Sequence, residues 1–177
     1  MPFALDNDAF TAWQKQHEWS ESAWLSMMHA VASMPQLPLW ALVPDVVADR
    51  AATLRRWQQY NSVVREFGFT PAFAVQDGMS EADIPPDAEV LFIGGTTEWK
   101  WQHLPRWCNL GRRVHVGRCN SLRRLLWCEH LGVESLDGTG WFRGTETSPQ
   151  ATALIRWVKG EASAFVPVTR ARISTPT

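Results

Sequence analysis

The sequence alternates short apolar runs with segments of helical spacing, and each apolar run ends on a polar or glycine-rich cluster. The six runs cover residues 3–7, 40–45, 72–77, 90–95, 114–118 and 133–138. A strand followed by a helix, repeated along one chain, is typical of parallel βα units. We therefore predict an α/β fold of TIM-barrel-like parallel βα units with about six strands.

The polar clusters at the ends of these runs predict one shared site. In parallel βα folds the loops after the strands converge on a single face, and that face carries the chemistry. The side chains and glycines expected to meet there are Asp6, Asp45, Gln76, Gly94, Gly95, His115, Arg118 and Asp137. Each alone has a simpler interpretation, such as a turn or helix cap for Asp6 and a satisfied core histidine for His115.

Length and charge limit the classes of protein. The chain has 177 residues and 45% hydrophobic content, which suits one soluble domain; we predict that domain over residues 1–160 and a tail over 161–177. A formal net charge of -1 gives no whole-chain attraction to nucleic acid. Six arginines lie close together in the sequence, and they form either a phosphate-binding rim or a solvated helix face: Arg112, Arg113, Arg118, Arg123, Arg124 and Arg143.

The 11 tryptophans are an unusual number for this length. Many of them fall in the predicted helices. They either pack those helices on the sheet, or form a surface on which nucleic-acid bases stack.

Cysteine spacing and hydropathy predict a cytosolic protein. Cys108, Cys119 and Cys128 are odd in number and lack CxxC spacing, so neither a disulfide framework nor a structural zinc site is expected. Asp6 and Asp8 interrupt the first apolar stretch, which is unlike a signal peptide, and no run is long enough to span a membrane. No metal or other cofactor is expected.

Capping signals predict the helices. Ser20, Asp49 and Ser121 are predicted N-caps, and Ser148 with Pro149 is a good pair for the start of the last helix. A short helix over 8–17, a helix beginning at Thr97 and an acidic turn or distorted helix over 80–89 complete the prediction, with an edge strand over 165–168.

The predicted set of carboxylates, an amide and glycines suits a flat, polar heterocycle. Asp and Gln side chains can read the donors and acceptors of a purine edge, and a Gly-Gly backbone can donate to a carbonyl oxygen. A further carboxylate near a sugar C1′ can attack that carbon, which splits one difficult substitution into two easier ones.

The sequence also resembles the tRNA-guanine transglycosylase superfamily, and most of all its short phage branch, the deazapurine DNA transglycosylases. The similarity runs in the family's order from about residue 3 to residue 143 and rests on these matching stretches: Ala-Leu-Asp-Asn-Asp-Ala-Phe (4–10), Val-Pro-Asp-Val-Val-Ala-Asp (43–49), Val-Gln-Asp-Gly (75–78), Phe-Ile-Gly-Gly-Thr-Thr-Glu-Trp-Lys (92–100), Val-His-Val-Gly-Arg-Cys-Asn-Ser (114–121) and Glu-Ser-Leu-Asp-Gly-Thr-Gly (134–140).

The resemblance implies a role for each matching position. Asp137 would be the nucleophile that takes C1′ as guanine leaves, and Asp6 the general acid and base. Asp45 and Gln76 would read the base, and Gly94 and Gly95 would present backbone to it. Support of the pocket or its backbone is the implied role of the remaining matches, which are Glu98, Lys100, His115 and Arg118.

The resemblance also implies partners and departures. The implied partners are DNA (or tRNA), a free 7-deazaguanine base such as preQ0, and a second copy or a larger modification complex. The family usually has Gly where this chain has Asp8, and no Cys follows Asp137, so the zinc subdomain of the tRNA enzymes is absent. The first run matches about the third of the family's eight strands, which implies an open barrel with exposed edges and favours dimerisation.

Two other functions stay open at this point. One is a non-catalytic module that kept the base pocket and binds deazapurines or modified DNA. The other is a small βα-barrel enzyme for a phosphorylated metabolite, which would hold an anion in the pocket.

Overall fold

The computed structural model describes residues 2–145 and 147–161. Its helices are α1 (Ala9–Gln14), α2 (Glu21–Ala32), α3 (Arg50–Glu66), α4 (Thr97–Cys108), α5 (Leu122–His130) and α6 (Pro149–Val158). Its strands are β1 (Ala41–Leu42), β2 (Pro71–Val75), β3 (Val90–Ile93), β4 (Arg113–Val116) and β5 (Ser135–Leu136). Short 3-10 turns occupy Glu81–Asp83 and Thr139–Phe142. The predicted tail beyond 161, including the edge strand over 165–168, lies outside the described residues.

The strands form one parallel sheet in the order β1-β2-β3-β4-β5, curled into a half-barrel. The predicted α/β class with parallel βα units is confirmed. The number of strands differs from the prediction, because the first apolar run makes a single parallel bridge, between Leu5 and Ala41. The Leu5 backbone still bonds to Trp40 and Leu42 (3.0 and 2.8 Å), so this segment lies beside β1 without forming a ladder.

The sheet has two apolar faces because alternate residues of a strand point to opposite sides. On the outer face, Phe73, Leu91 and Val116 belong to the main core with the helices. On the inner face, Trp40, Leu42, Ala72, Ala74, Val90 and Phe92 form a second, smaller cluster. Both faces are therefore covered, as is usual for parallel sheets.

Capping residues set most of the predicted helix starts. The side chains of Ser20, Asp49 and Ser148 accept from the backbone N–H groups three residues later (3.3, 2.9 and 3.2 Å). Helix α5 begins after Ser121 as predicted, but the Ser121 side chain makes no capping hydrogen bond. Helix α1 is shorter than the predicted 8–17, because Gln16 takes a positive φ of 55° that ends it.

The acidic stretch over 80–89 contains a short 3-10 helix at Glu81–Asp83 within a turn, which agrees with the predicted turn or distorted helix. Its carboxylates form ion pairs with neighbouring helices. Asp83 pairs with Arg50, Glu81 with Arg106 (2.8 Å) and Asp87 with Arg65 (3.1 Å). These ion pairs tie the turn to α3 and α4.

Candidate functional site

A cavity of about 590 Å³ opens at the carboxyl ends of the strands. Pockets that bind small organic ligands usually fall between about 300 and 1,000 Å³. The predicted site residues that line this cavity are Asp6, Asp45, Gln76, Gly94, Gly95, Arg118 and Asp137. His115 does not line it but lies behind Asp137. The structure thus brings together, at one mouth, residues that lie far apart along the chain.

Asp45 is the buried centre of a hydrogen-bond network. Its carboxylate accepts from the Asn7 side-chain amide (2.8 Å) and from the Gln76 amide (2.5 Å). Gln76 in turn accepts from the Ala48 backbone N–H (3.1 Å). Burial raises the pKa of Asp45 to about 6, and the amide donors and Arg56 only partly oppose it. Among the described residues, the side-chain partners of this carboxylate are two neutral amides, and an amide donor of this kind can be exchanged for a ligand donor.

Asn7 is a site residue that sequence reasoning gave no role. It is buried, and besides Asp45 it donates to the Val43 carbonyl (2.8 Å) and accepts from the Ala9 backbone N–H (2.9 Å). Asn7 therefore fixes the first loop against the end of β1. Its place directly after Asp6 at the end of an apolar run was the only sequence signal for this role.

Asp6 lies in a loop in which Asp8, two positions later, has an unusual backbone conformation. Its carboxylate accepts from the backbone N–H groups of Asn7 (2.6 Å) and Asp8 (3.1 Å). Asp8 has a φ of 60°, in the left-handed region that Gly prefers and that Asp tolerates better than most residues. The loop keeps a glycine-like backbone although the residue is an aspartate.

Asp137 is held from two sides and remains accessible. One of its oxygens accepts from the Arg118 backbone N–H (2.9 Å), and the other lies 3.0 Å from His115 Nε2. His115 Nδ1 contacts the Ser135 hydroxyl (2.9 Å), and its ring stacks on Phe92 and meets Trp40 edge-on. The Asp137 side chain is 50% exposed. Each of its oxygens has a second lone pair, so contact with a ligand is compatible with these bonds.

The surroundings of Asp6 and Asp137 shift the pKa values of these two cavity carboxyl groups in opposite directions. Desolvation raises the pKa of Asp6, the backbone bonds oppose it, and the charges of Asp137 and Asp8 add to the rise. Desolvation also acts on Asp137, but the His115 hydrogen bond, the Arg118 N–H and the charges of His115 and Lys100 outweigh it and lower the pKa of Asp137. Pairs of carboxyl groups with pKa values pushed apart are the usual basis for separate acid and nucleophile roles.

Glycines make room for these contacts. A Cβ on Gly94 would lie 2.9 Å from Gln76 Nε2, and one on Gly117 would lie 2.7 Å from the Phe92 ring. The Gly94 N–H itself donates to the Val75 carbonyl (3.0 Å), so the predicted use of this group as a donor to the base is already taken by the fold. Gly95, with a φ of 72°, has its carbonyl bound by the Arg118 guanidinium.

Lys100 lies buried under the loop that carries Arg118. Its ammonium donates to the Gly117 carbonyl and lies 5.4 Å from the Trp101 ring centroid. Desolvation lowers the pKa of Lys100 to about 8, with a further contribution from the charge of Arg118. Its predicted supporting role fits this position, whereas Glu98 is exposed and does not line the cavity.

The six clustered arginines do not form one group in the structure. Arg118, Arg124 and Arg143 line the cavity. Arg113 instead forms a two-armed pair with Glu134 (2.8 Å for both bonds), and Arg112 donates to the Pro86 carbonyl (3.1 Å). Half of the predicted phosphate-binding rim therefore lies at the cavity. Of the other three arginines, Arg112 and Arg113 lie at the start of β4, and Arg123 is exposed on α5.

Most tryptophans pack the core, as the first of the two interpretations predicts. Trp24, Trp40, Trp57, Trp101, Trp107 and Trp141 are buried. Trp13 is the exception among the described residues, with 56% of its surface exposed.

Within residues 2–145 and 147–161, no three His, Cys, Asp or Glu side chains are placed to hold a metal ion. Cys108, Cys119 and Cys128 are free thiols. None of the described helices combines the length and apolar character needed to cross a bilayer.

Comparison with known proteins does not assign the chain to a family. Neither a scan of protein families nor a search of the curated proteins finds a match to the chain.

Proposed function

We propose that this protein is a base-exchanging glycosyltransferase that replaces guanine in DNA by a 7-deazaguanine derivative, on a truncated TIM-like barrel of the tRNA-guanine transglycosylase type. One observation carries the proposal. Asp6 and Asp137 line the same cavity, and their surroundings shift the two pKa values in opposite directions. The directions of these shifts favour Asp6 as the group that carries the proton and Asp137 as the ionised group, which are the roles the proposal gives them.

The exchange proceeds in two balanced steps. The Asp137 carboxylate attacks C1′ of the deoxyguanosine, the C1′–N9 bond breaks, and its electron pair stays on guanine, which takes a proton from Asp6. The result is an ester between Asp137 and the sugar. The incoming deazapurine then loses its N9 proton to Asp6, attacks C1′ and releases the Asp137 carboxylate. No oxidant, reductant or cofactor enters this balance.

His115 acts through Asp137 in this scheme. It holds one carboxylate oxygen at 3.0 Å and is itself positioned by Ser135 and two aromatic rings. The Arg118 backbone N–H holds the other oxygen. A nucleophile fixed at both oxygens loses little orientational freedom when the sugar arrives, which is the source of rate in such steps.

The buried network at Asp45 suits the base. A guanine presents its N1–H and its exocyclic amino group side by side, and a carboxylate can accept both. Gln76 keeps one N–H and one lone pair beyond its bonds to Asp45 and Ala48, so it offers a further donor and acceptor. In the proposal Asp45 and Gln76 read the base and Gly95 lies against its edge.

Both signs of charge line the cavity: three carboxylates, of Asp6, Asp45 and Asp137, and three guanidinium groups, of Arg118, Arg124 and Arg143. The exchange assay described below distinguishes base exchange from the phosphorylated-metabolite alternative.

The remaining parts of the proposal concern partners. The acceptor is DNA, with tRNA as the alternative acceptor, and the co-substrate is a free 7-deazaguanine base. The half-barrel ends in a two-residue edge strand, β5, which supports a second copy or a larger modification complex as the cover. The proposal keeps the cytoplasmic location predicted from the sequence, which is the host cytoplasm if the protein is encoded by a phage.

Isotope exchange tests the proposal without knowledge of the natural deazapurine. The protein is incubated with guanine-containing DNA and ¹⁵N-labelled guanine, and the nucleosides are analysed by mass spectrometry. We expect label in deoxyguanosine with the wild type and none with Asp137→Asn, whose thermal unfolding stays cooperative. Asp49→Asn, at an exposed helix cap, is the matched control and should exchange normally.

Two outcomes would overturn the assignment. Exchange by Asp137→Asn at the wild-type rate removes the nucleophile. Tight binding of free guanine or deazaguanine by the wild type without any exchange indicates instead the non-catalytic base-binding module.

A further inference from the structure

The mouth of the cavity carries positive charge that the proposed exchange reaction does not use. Arg124 and Arg143 both line the cavity. In the part of the chain that the structure describes, neither forms an ion pair with a carboxylate. The Arg124 guanidinium lies over the Trp101 ring at 4.8 Å, which fixes its position, and Arg143 is exposed.

Exposed aromatic rings accompany these arginines. Phe142, next to Arg143, is 79% exposed, and the turn that presents it is anchored by the buried Trp141, whose indole donates to the Cys119 carbonyl (2.5 Å). Trp13, on α1, is exposed and stacks on Phe10 with 5.8 Å between the ring centroids. Phe10 lines the cavity.

Positive charge interleaved with exposed rings is the surface that single-stranded nucleic acid recognises. Arginines neutralise the phosphates, and aromatic rings stack on the bases whatever their sequence. Arg124 and Arg143 therefore offer the backbone of a bound strand two cationic contacts in the lining of the cavity.

We propose that this mouth binds an unpaired stretch of the nucleic-acid substrate. Arg124 and Arg143 hold the phosphates on either side of the nucleotide whose base enters the cavity, and Phe142 and Trp13 stack on the neighbouring bases. The inference rests on the proposed function, because it takes the cavity occupant to be a base of that strand.

Fluorescence anisotropy with a labelled 12-nucleotide strand containing one guanine tests the proposal, using the full chain at 50 and 200 mM salt. We expect Phe142→Ala to weaken binding by about fivefold or more, the lower end of the usual loss for one stacked base. Arg143→Gln should weaken binding and reduce the slope of log affinity against log salt by about 0.7, the value for one phosphate contact on a single strand.

The matched controls lie away from the cavity. Arg55→Gln, on the exposed face of α3, and Val158→Ala, 71% exposed on α6, should bind like the wild type. Equal losses in Arg55→Gln and Arg143→Gln would overturn the proposal, as would equal affinity for the same sequence in a duplex. Strand binding can be measured without any base exchange. A strand that binds through Phe142 and Arg143 but whose guanine is never exchanged refutes the proposed reaction and leaves the binding surface standing. Base exchange on a free nucleoside, with no measurable affinity for the strand, refutes the proposed strand-binding surface and leaves the reaction standing.

Discussion

Replacing Asp45 by Asn should remove a large part of the protein's pH-dependent stability. Asp45 is 6% exposed, and burial raises its pKa from 3.8 to about 6. A carboxyl group whose pKa is raised by folding favours the folded state when protonated. Its contribution is therefore full below pH 4 and is lost as the pH rises through 6.

The size of this effect follows from the shift. A difference of about two pKa units corresponds to about 3 kcal/mol, of which about 2 to 3 kcal/mol falls between pH 4 and pH 7. The amide introduced by Asp45→Asn cannot ionise, so the contribution disappears in that variant. Other carboxyl groups titrate in the same range, and the informative quantity is the difference in pH dependence between the two proteins.

Urea unfolding followed by tryptophan fluorescence measures this quantity at pH 4, 5, 6 and 7. We expect the wild type to lose about 2 to 3 kcal/mol more than Asp45→Asn between pH 4 and pH 7. Asp49→Asn keeps the cap of α3 at an exposed site and should follow the wild type. If the wild type and Asp45→Asn show the same dependence on pH, Asp45 is not desolvated as described.

Two further changes test the supports of the site. Ala48 has a φ of 59° in the loop that bonds to Gln76, so Ala48→Gly should raise the free energy of unfolding by about 1 kcal/mol. The control Ala52→Gly, inside α3, should lower it by about as much. A lower melting temperature for Ala48→Gly would contradict this. Burial lowers the pKa of Lys100 to about 8, so an ionised Lys100 opposes folding and the wild type should gain about 2 kcal/mol between pH 7 and pH 10. In Lys100→Met this gain should be absent, and urea unfolding at the two pH values measures it.

The arrangement of the chain could be read from the sequence because it follows from local rules. Apolar runs of strand length between capped helices predict a parallel sheet, and the parallel sheet places Asp6, Asp45, Gln76 and Asp137 at one edge. The N-caps Ser20, Asp49 and Ser148 were predictable since each side chain has a defined backbone partner.

The features that the sequence could not show depend on which strands pair and on which distant residues meet in the folded chain. Whether the first run forms a ladder depends on its neighbours, and Leu5 makes only a single bridge. The division of the arginines was hidden because Arg113 and Arg118 are close in sequence but lie at opposite ends of β4. The buried amide Asn7 has no periodic signature at all, since its partners lie up to 38 positions away.

The covalent step offers the most direct test of the account. The protein is mixed with a labelled guanine-containing strand, denatured at once and analysed by gel electrophoresis and peptide mass spectrometry. We expect a protein–DNA species joined through Asp137 that forms with the wild type, disappears in Asp137→Asn and is discharged by added free guanine. Exchange of labelled guanine without such a species, or its formation in Asp137→Asn, would contradict the assigned roles of these carboxylates.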